Sequence, residues 1–95
     1  MKLIVSPDAI ADLDRLRAFL ADKNPAAAQR AVTAVAAAIR SLDTSPDRGR
    51  PTGIAGIREL IIPFGRSAYV LRYSHMPEAD EVLILRIWHG REQRI

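Results

Sequence analysis

The sequence predicts an α+β fold: an N-terminal strand, an antiparallel helical hairpin, then a three-stranded antiparallel β-meander with the helices packed on one face of the sheet. Three observations predict it. Two helix-start signals of a capping residue followed by proline, Ser6-Pro7 and Asn24-Pro25, each open a stretch of helical periodicity. Three short apolar runs, Gly56 to Pro63, Arg66 to Tyr73 and Val82 to Arg91, fill the second half and are joined by Pro/Gly turns. A turn-rich interval, Asp43 to Gly56, separates the two kinds of pattern.

Lys2 to Val5 reads as the opening strand. Ser6 then caps a helix, with proline at its first position and Asp8 near the positive end of the dipole. Ile10, Leu13, Leu16 and Leu20 follow helical spacing, and Asp12, Asp14, Arg15 and Arg17 are expected on the wet face. The second stripe is Ala28, Val32, Val35, Ile39 and Leu42, with alanines between that favour helix and let another backbone approach closely. So short a connection makes the two helices antiparallel. Pro63-Phe64-Gly65 and His75 to Asp80 connect the strands. In the middle strand Tyr69, Leu71 and Tyr73 alternate with Ala68, Val70 and Arg72, the period of a half-buried strand. In the last strand Leu83, Leu85 and Ile87 are expected to face the helices, with Val82, Ile84, Arg86 and Trp88 behind.

Ninety-five residues suit one domain, spanning 1–95, and with few aromatics its core must be built from Leu, Ile, Val and Ala. With no cysteine, a disulfide framework and a thiolate metal site are excluded, and His75 and His89 lie far from any metal-ligand spacing. No metal or other cofactor is expected. The apolar strings are too short to span a membrane, and the N-terminus lacks a signal peptide's hydrophobic stretch, so a soluble cytoplasmic protein is expected.

The net charge of +3 is unevenly placed. Residues 1–47 hold six basic and six acidic side chains, whereas residues 48–95 hold eight arginines against five acids. Arginine suits bidentate contact with carboxylate or phosphate. An arginine within a strand is costly if buried, so those recurring from strand to strand are expected to share a solvent-facing surface that binds something acidic. Arg86, in the most apolar strand, needs a carboxylate or a ligand. Glu59 reads first as a cross-strand ion pair with an arginine, and otherwise as a general base beside Arg66 and His89. His89 closes the last strand, where a residue can stand at the mouth of a cleft between sheet and helices.

The order and spacing of Ser6-Pro7-Asp8-Ala9 leading into Asp12-Leu13, Pro46 with Gly49-Arg50-Pro51, Gly56-Ile57-Arg58-Glu59-Leu60, Tyr69-Val70-Leu71-Arg72-Tyr73 and Ile84-Leu85-Arg86-Ile87-Trp88-His89-Gly90-Arg91 cover almost the whole chain. In these residues the sequence resembles the RelE/ParE superfamily of bacterial type II toxins, and more closely its ParE (plasmid stabilisation) branch. The resemblance implies a toxin neutralised by a cognate antitoxin, a small DNA-binding protein whose flexible acidic C-terminal segment folds over the toxin. Operator DNA would be contacted only through that antitoxin. The RelE branch cuts messenger RNA in the ribosomal A site; the ParE branch is associated with poisoning DNA gyrase. Ribonuclease members use basic strand residues and a C-terminal aromatic, often a His-Tyr pair. Here Arg58 and Arg66 fall where strand arginines of that set lie, and His89 where its histidine lies, but Gly90 follows instead of tyrosine and no lysine occurs after Lys23. A charge of +3 is also low for a protein drawn to ribosomal RNA. The expected function is therefore a gyrase inhibitor without favoured catalytic residues. Its antitoxin or target surface would include Arg58, Arg66, Arg72, Arg86, Trp88, His89, Arg91 and Arg94, with the tail from Gly90 to Ile95. The alternatives are a ribosome-dependent endoribonuclease using Arg66, Glu59 and His89, or a degenerate, non-toxic partner.

Overall fold

A computed structural model describes residues 1–91. The order is β1 (Lys2–Val5), α1 (Pro7–Lys23), α2 (Pro25–Ser41), β2 (Arg50–Pro51), β3 (Ile57–Phe64), β4 (Ser67–Met76), a 3-10 turn (Pro77–Ala79) and β5 (Glu81–His89). The five strands form one sheet in the order β1-β5-β4-β3-β2, antiparallel except where β1 runs parallel to β5. The expected α+β architecture is present, with two additions. β1 joins the sheet beside β5 rather than standing apart, and two residues of the turn-rich interval, Arg50 and Pro51, pair with Glu59 and Arg58 as β2. A two-residue strand has no period to read, which hides it in the sequence.

Both helix starts form as the caps require. The Ser6 Oγ accepts from the Ala9 N–H, and the Asn24 Oδ1 accepts from the Ala27 N–H. Asn24 alone separates the helices, ending α1 and capping α2. α1 lies along β5, and α2 crosses towards β3. The core between helices and sheet is Ala9, Leu16, Ala31, Val35 and Leu42 against Leu60, Ile62, Tyr69, Leu71, Tyr73, Val82, Ile84 and Ile87.

The face of α1 differs from expectation at two positions. Ile10 is 51% exposed while Ala9 is fully buried, so the buried line runs through Ala9, Asp12 and Leu16. Asp12, expected in water, is 5% exposed. Leu13 and Leu20 still pack against the core, so the buried face keeps most of the expected stripe and widens towards Ala9 and Asp12, whose carboxylate has a partner in the sheet.

β5 differs more. Its pairing with β4 runs Tyr73↔Ile84 and then Arg72↔Arg86, so Leu85 is an extra residue, a β-bulge. Before the bulge the even positions, Val82 and Ile84, face the helices; after it the odd ones, Ile87 and His89, do. Reading one uniform alternation places Ile87, Arg86 and Trp88 correctly but reverses Val82, Leu83 and Ile84.

The β3–β4 hairpin turns at Gly65-Arg66, with φ +59° at Gly65, the first central position, as a type II′ turn requires. Beyond β2 the outer edge of β3 includes Pro63, whose missing N–H blunts that edge against further pairing. No helix among the described residues is long and apolar enough to cross a membrane.

Candidate functional site

At the hairpin end of the sheet a cleft of about 600 Å³ opens between α1 and the helix-side face, lined by Arg15, Leu16, Phe19, Leu20, Phe64, Tyr69, His89 and Arg91. Its walls are apolar. Phe19 is 60% exposed, with Lys23 over its ring at 4.6 Å. Tyr69 forms the floor, tilted against Phe64 and edge-on to His89 with ring centres 5.5 Å apart. The cationic groups of Arg15 and Arg91 and the imidazole of His89 supply the polar part.

His89 is tightly held. The Arg91 N–H donates to its Nδ1 at 3.1 Å, so that nitrogen carries no proton. The ring is then the Nε2–H tautomer, and Nε2 donates to the Ser67 hydroxyl at 2.9 Å. Both nitrogens are committed inside the chain.

The outer face of the sheet, away from the helices, carries Glu59, Ile61, Val70, Arg72, Arg86 and Trp88 by register. Arg72 and Arg86 are cross-strand neighbours, an arrangement that repels unless each cation has its own acid. Each does. Arg72 donates to the Glu59 carboxylate through Nε at 3.1 Å and Nη2 at 2.8 Å, with Arg50 at 3.6 Å on the other oxygen. The Arg72 guanidinium also lies 4.9 Å from the Trp88 ring centre. Arg86 donates to Asp12 on α1 through Nε at 2.8 Å and Nη2 at 3.0 Å, and the Ile87 N–H donates to the same carboxylate at 2.9 Å. Burial pushes the Asp12 carboxyl up; the bonds from Arg86 and Ile87 and the charges of Arg86 and Arg15 outweigh it and hold it below its ordinary value. The same Asp12 bond raises Arg86, against its own desolvation.

At the opposite end of the helix-side face, the Tyr73 hydroxyl donates to the Pro46 carbonyl at 2.7 Å and accepts from the Gly49 N–H at 2.9 Å. Burial raises the phenol above its ordinary value, and the Gly49 bond and nearby arginines only offset this. Arg58 ties down the same loop, donating to the Gly49 carbonyl at 2.7 Å and the Asp47 carbonyl at 3.2 Å. Asp47 also meets His75 Nδ1 at 2.8 Å.

The strand arginines thus fall in three places. Arg58 is at the closed end of the helix-side face, Arg72 and Arg86 are on the outer face, and Arg66 is in the exposed hairpin turn, without an ion pair among the described residues. Arg91 and His89 meet at the cleft, Trp88 is on the outer face, and Arg94 lies outside the described residues. Glu59 and His89 are on opposite faces of the sheet, so Arg66, Glu59 and His89 do not converge. Sequence reasoning did not single out Phe19, Tyr73 with Gly49, or the Asp47–His75 pair. Phe19 alone left a signal, an aromatic off the apolar stripe of an amphipathic helix.

The sequence and the fold have counterparts among known proteins. Residues 3–94 match the family described as ParE toxin of type II toxin-antitoxin system, parDE. The chain is 45% identical over 92 residues to Toxin RelE1 of Caulobacter vibrioides, covering 97% of this chain and 96% of that protein. It is 38% identical over 90 residues to Toxin RelE3 of the same organism, covering 95% of each. A solved structure titled as the chromosomal ParDE TA system from P. aeruginosa superposes with a TM-score of 0.76 at 25% identity, over 94% of this chain and 95% of that one. This chain belongs to the ParE toxin family of type II toxin-antitoxin systems, within the RelE/ParE superfamily.

Proposed function

We propose that this toxin acts by binding DNA gyrase, not by cutting RNA, and stabilises a gyrase–DNA cleavage state by preferring it over the others. As a toxin of a type II system it has a cognate antitoxin. We assign the cleft beside α1 to that antitoxin's acidic segment, with apolar side chains against Phe19, Leu20 and Phe64 and carboxylates towards Arg15 and Arg91.

The observation that carries the reading is the state of the would-be catalytic groups. RNA cleavage needs a base for the 2′-hydroxyl, cations for the phosphorane and an acid for the leaving oxygen, all within reach of one phosphate. His89 has both nitrogens engaged, and Glu59 is held by two arginines on the other face. Around Glu59 the outer face exposes Ile61, while Val70 and Trp88 are buried and Arg72 is neutralised, where a nuclease would display open positive charge.

Inducible expression of the chain in a bacterial host tests this. The expected result is filamentation with an SOS response and intact transcripts, largely retained by His89→Ala. Rapid translation arrest with transcripts cut inside codons, abolished by His89→Ala, would overturn it. One finding favours that second reading, a ribosome-dependent endoribonuclease: both curated relatives carry RelE names.

A further inference from the structure

β5 loses its neighbour halfway along. β1 pairs with it from Lys2↔Glu81 to Val5↔Ile84 and stops where the bulge begins. Beyond that point three groups from the start of α1 replace a strand on the open edge. The Ser6 N–H donates to the Ile84 carbonyl at 3.0 Å, and the Ser6 hydroxyl donates to the Leu85 carbonyl at 3.0 Å. The Asp12 carboxylate then takes the Ile87 N–H at 2.9 Å. Asp12 is buried and also holds Arg86 by two bonds, so the residues flanking Ile87's N–H are fixed from one side chain.

A bulge reverses side-chain parity for everything after it. Here that comprises Arg86 to Arg91, the limb with Trp88 on the outer face and His89 and Arg91 at the cleft. Without the extra residue, the alternation running through Val82 and Ile84 would bring Arg86 and Trp88 to the helix side and turn Ile87 and His89 outward. The first outcome buries a guanidinium in the core, and the second strips the cleft of its imidazole.

We propose that Asp12 is a positioning residue: by holding the Ile87 N–H and the Arg86 guanidinium at the open edge of β5, it fixes the bulge at Leu85 and so decides which side chains the terminal limb presents to the cleft and which to the outer face. The link from limb to toxicity rests on the proposed gyrase reading; the register itself does not. Asp12 acts through the strand and needs no contact with a target.

Trp88 is the chain's one tryptophan, and at 6% exposure its quenching reports any loosening of the limb from its present register. The purified full chain is compared as wild type, Asp12→Ala, Asp12→Asn and Val35→Ala, the last a core truncation on α2. Conditions are chosen where each is folded by circular dichroism. Amide exchange at Ile87, acrylamide quenching of Trp88 and toxicity on expression are measured. Asp12→Ala is expected to speed Ile87 exchange at least about tenfold beyond the change at Leu71, and to raise Trp88 quenching about twofold. Val35→Ala should move neither selectively. Asp12→Asn keeps an acceptor for Ile87 and should lie between; it carries the test if the alanine variant does not fold. Unchanged Trp88 quenching and Ile87 exchange in the Asp12 variants, or the same changes in Val35→Ala, would overturn the proposal. A moved limb with full toxicity would uphold the positioning role and sink the reading of the limb as toxic surface.

Discussion

Tyr69 and Tyr73 lie four residues apart on one face of β4, equally buried, yet the two ends of the sheet they mark are built differently. At Tyr73 the end is closed: the hydroxyl bonds Pro46 and Gly49, and Arg58 fastens the same loop. At Tyr69 the end is open, its ring the floor of a cleft whose walls include an exposed phenylalanine. The closed end spends its polar groups on itself and holds the α2–β3 loop against the sheet. The open end is lined by apolar surface, with Arg15, His89 and Arg91 at its margin. With the cleft as the antitoxin site proposed above, stability and recognition become separable along a single strand, and substitutions at the two ends should separate them.

The largest loss is expected from Tyr73→Phe. It orphans the Gly49 N–H and the Pro46 carbonyl together, at roughly 1–3 kcal/mol for each buried group that water cannot reach. Urea unfolding should show a lower midpoint with an unchanged slope. Gly49→Ala attacks the same lock from the other side. A Cβ there would stand 2.7 Å from the Tyr73 hydroxyl and 3.0 Å from the Glu59 carbonyl, so something must shift, at about 1–3 kcal/mol. The double variant sharpens the comparison: the two losses should be clearly less than additive, because either one breaks the same contact.

Acid gives a third, smaller effect, located between the two ends. Asp12 titrates below its ordinary value in the folded chain, so its stabilisation is complete above the unfolded carboxyl's range and is lost as pH falls through the folded titration. Between about pH 5 and pH 2 the wild type should lose more stability than Asp12→Asn, which has no carboxylate to protonate. Equal acid slopes for the two would show that the Asp12–Arg86 contact contributes nothing there.

What the sequence made legible was local or strictly periodic. Ser6 and Asn24 cap helices by bonding three residues ahead, and the Tyr69-Leu71-Tyr73 alternation reports burial on one face. What stayed hidden depends on partners far along the chain. Asp12 lies between apolar neighbours on a helix and reads as solvated until Arg86, 74 residues later, is brought to it. The bulge at Leu85 leaves no mark in an unbroken apolar run, since Val82 to Leu85 are all aliphatic and either parity buries something. Glu59 was readable as a cross-strand acid because its arginine, Arg72, sits on the adjacent strand of a hairpin. The cleft was foreseen through His89 alone; its walls come from α1, β3 and β4 together.

At the open end, Phe19→Ser should change stability least and binding most. Phe19 is 60% exposed, and among the described residues its cationic partner is Lys23, a surface cation–π contact, so the folded chain should lose at most about 0.5–1 kcal/mol. The same ring is a wall of the cleft, and anchors of this kind carry a disproportionate share of interface energy. Co-expression with the cognate antitoxin is the direct comparison. Phe19→Ser should remain folded and toxic while needing more antitoxin to be neutralised, whereas Tyr73→Phe should lose stability without that selective escape. If Phe19→Ser were neutralised as readily as the wild type, the cleft would not be where the antitoxin's apolar anchor sits, and the open end would have to be kept open for the target instead.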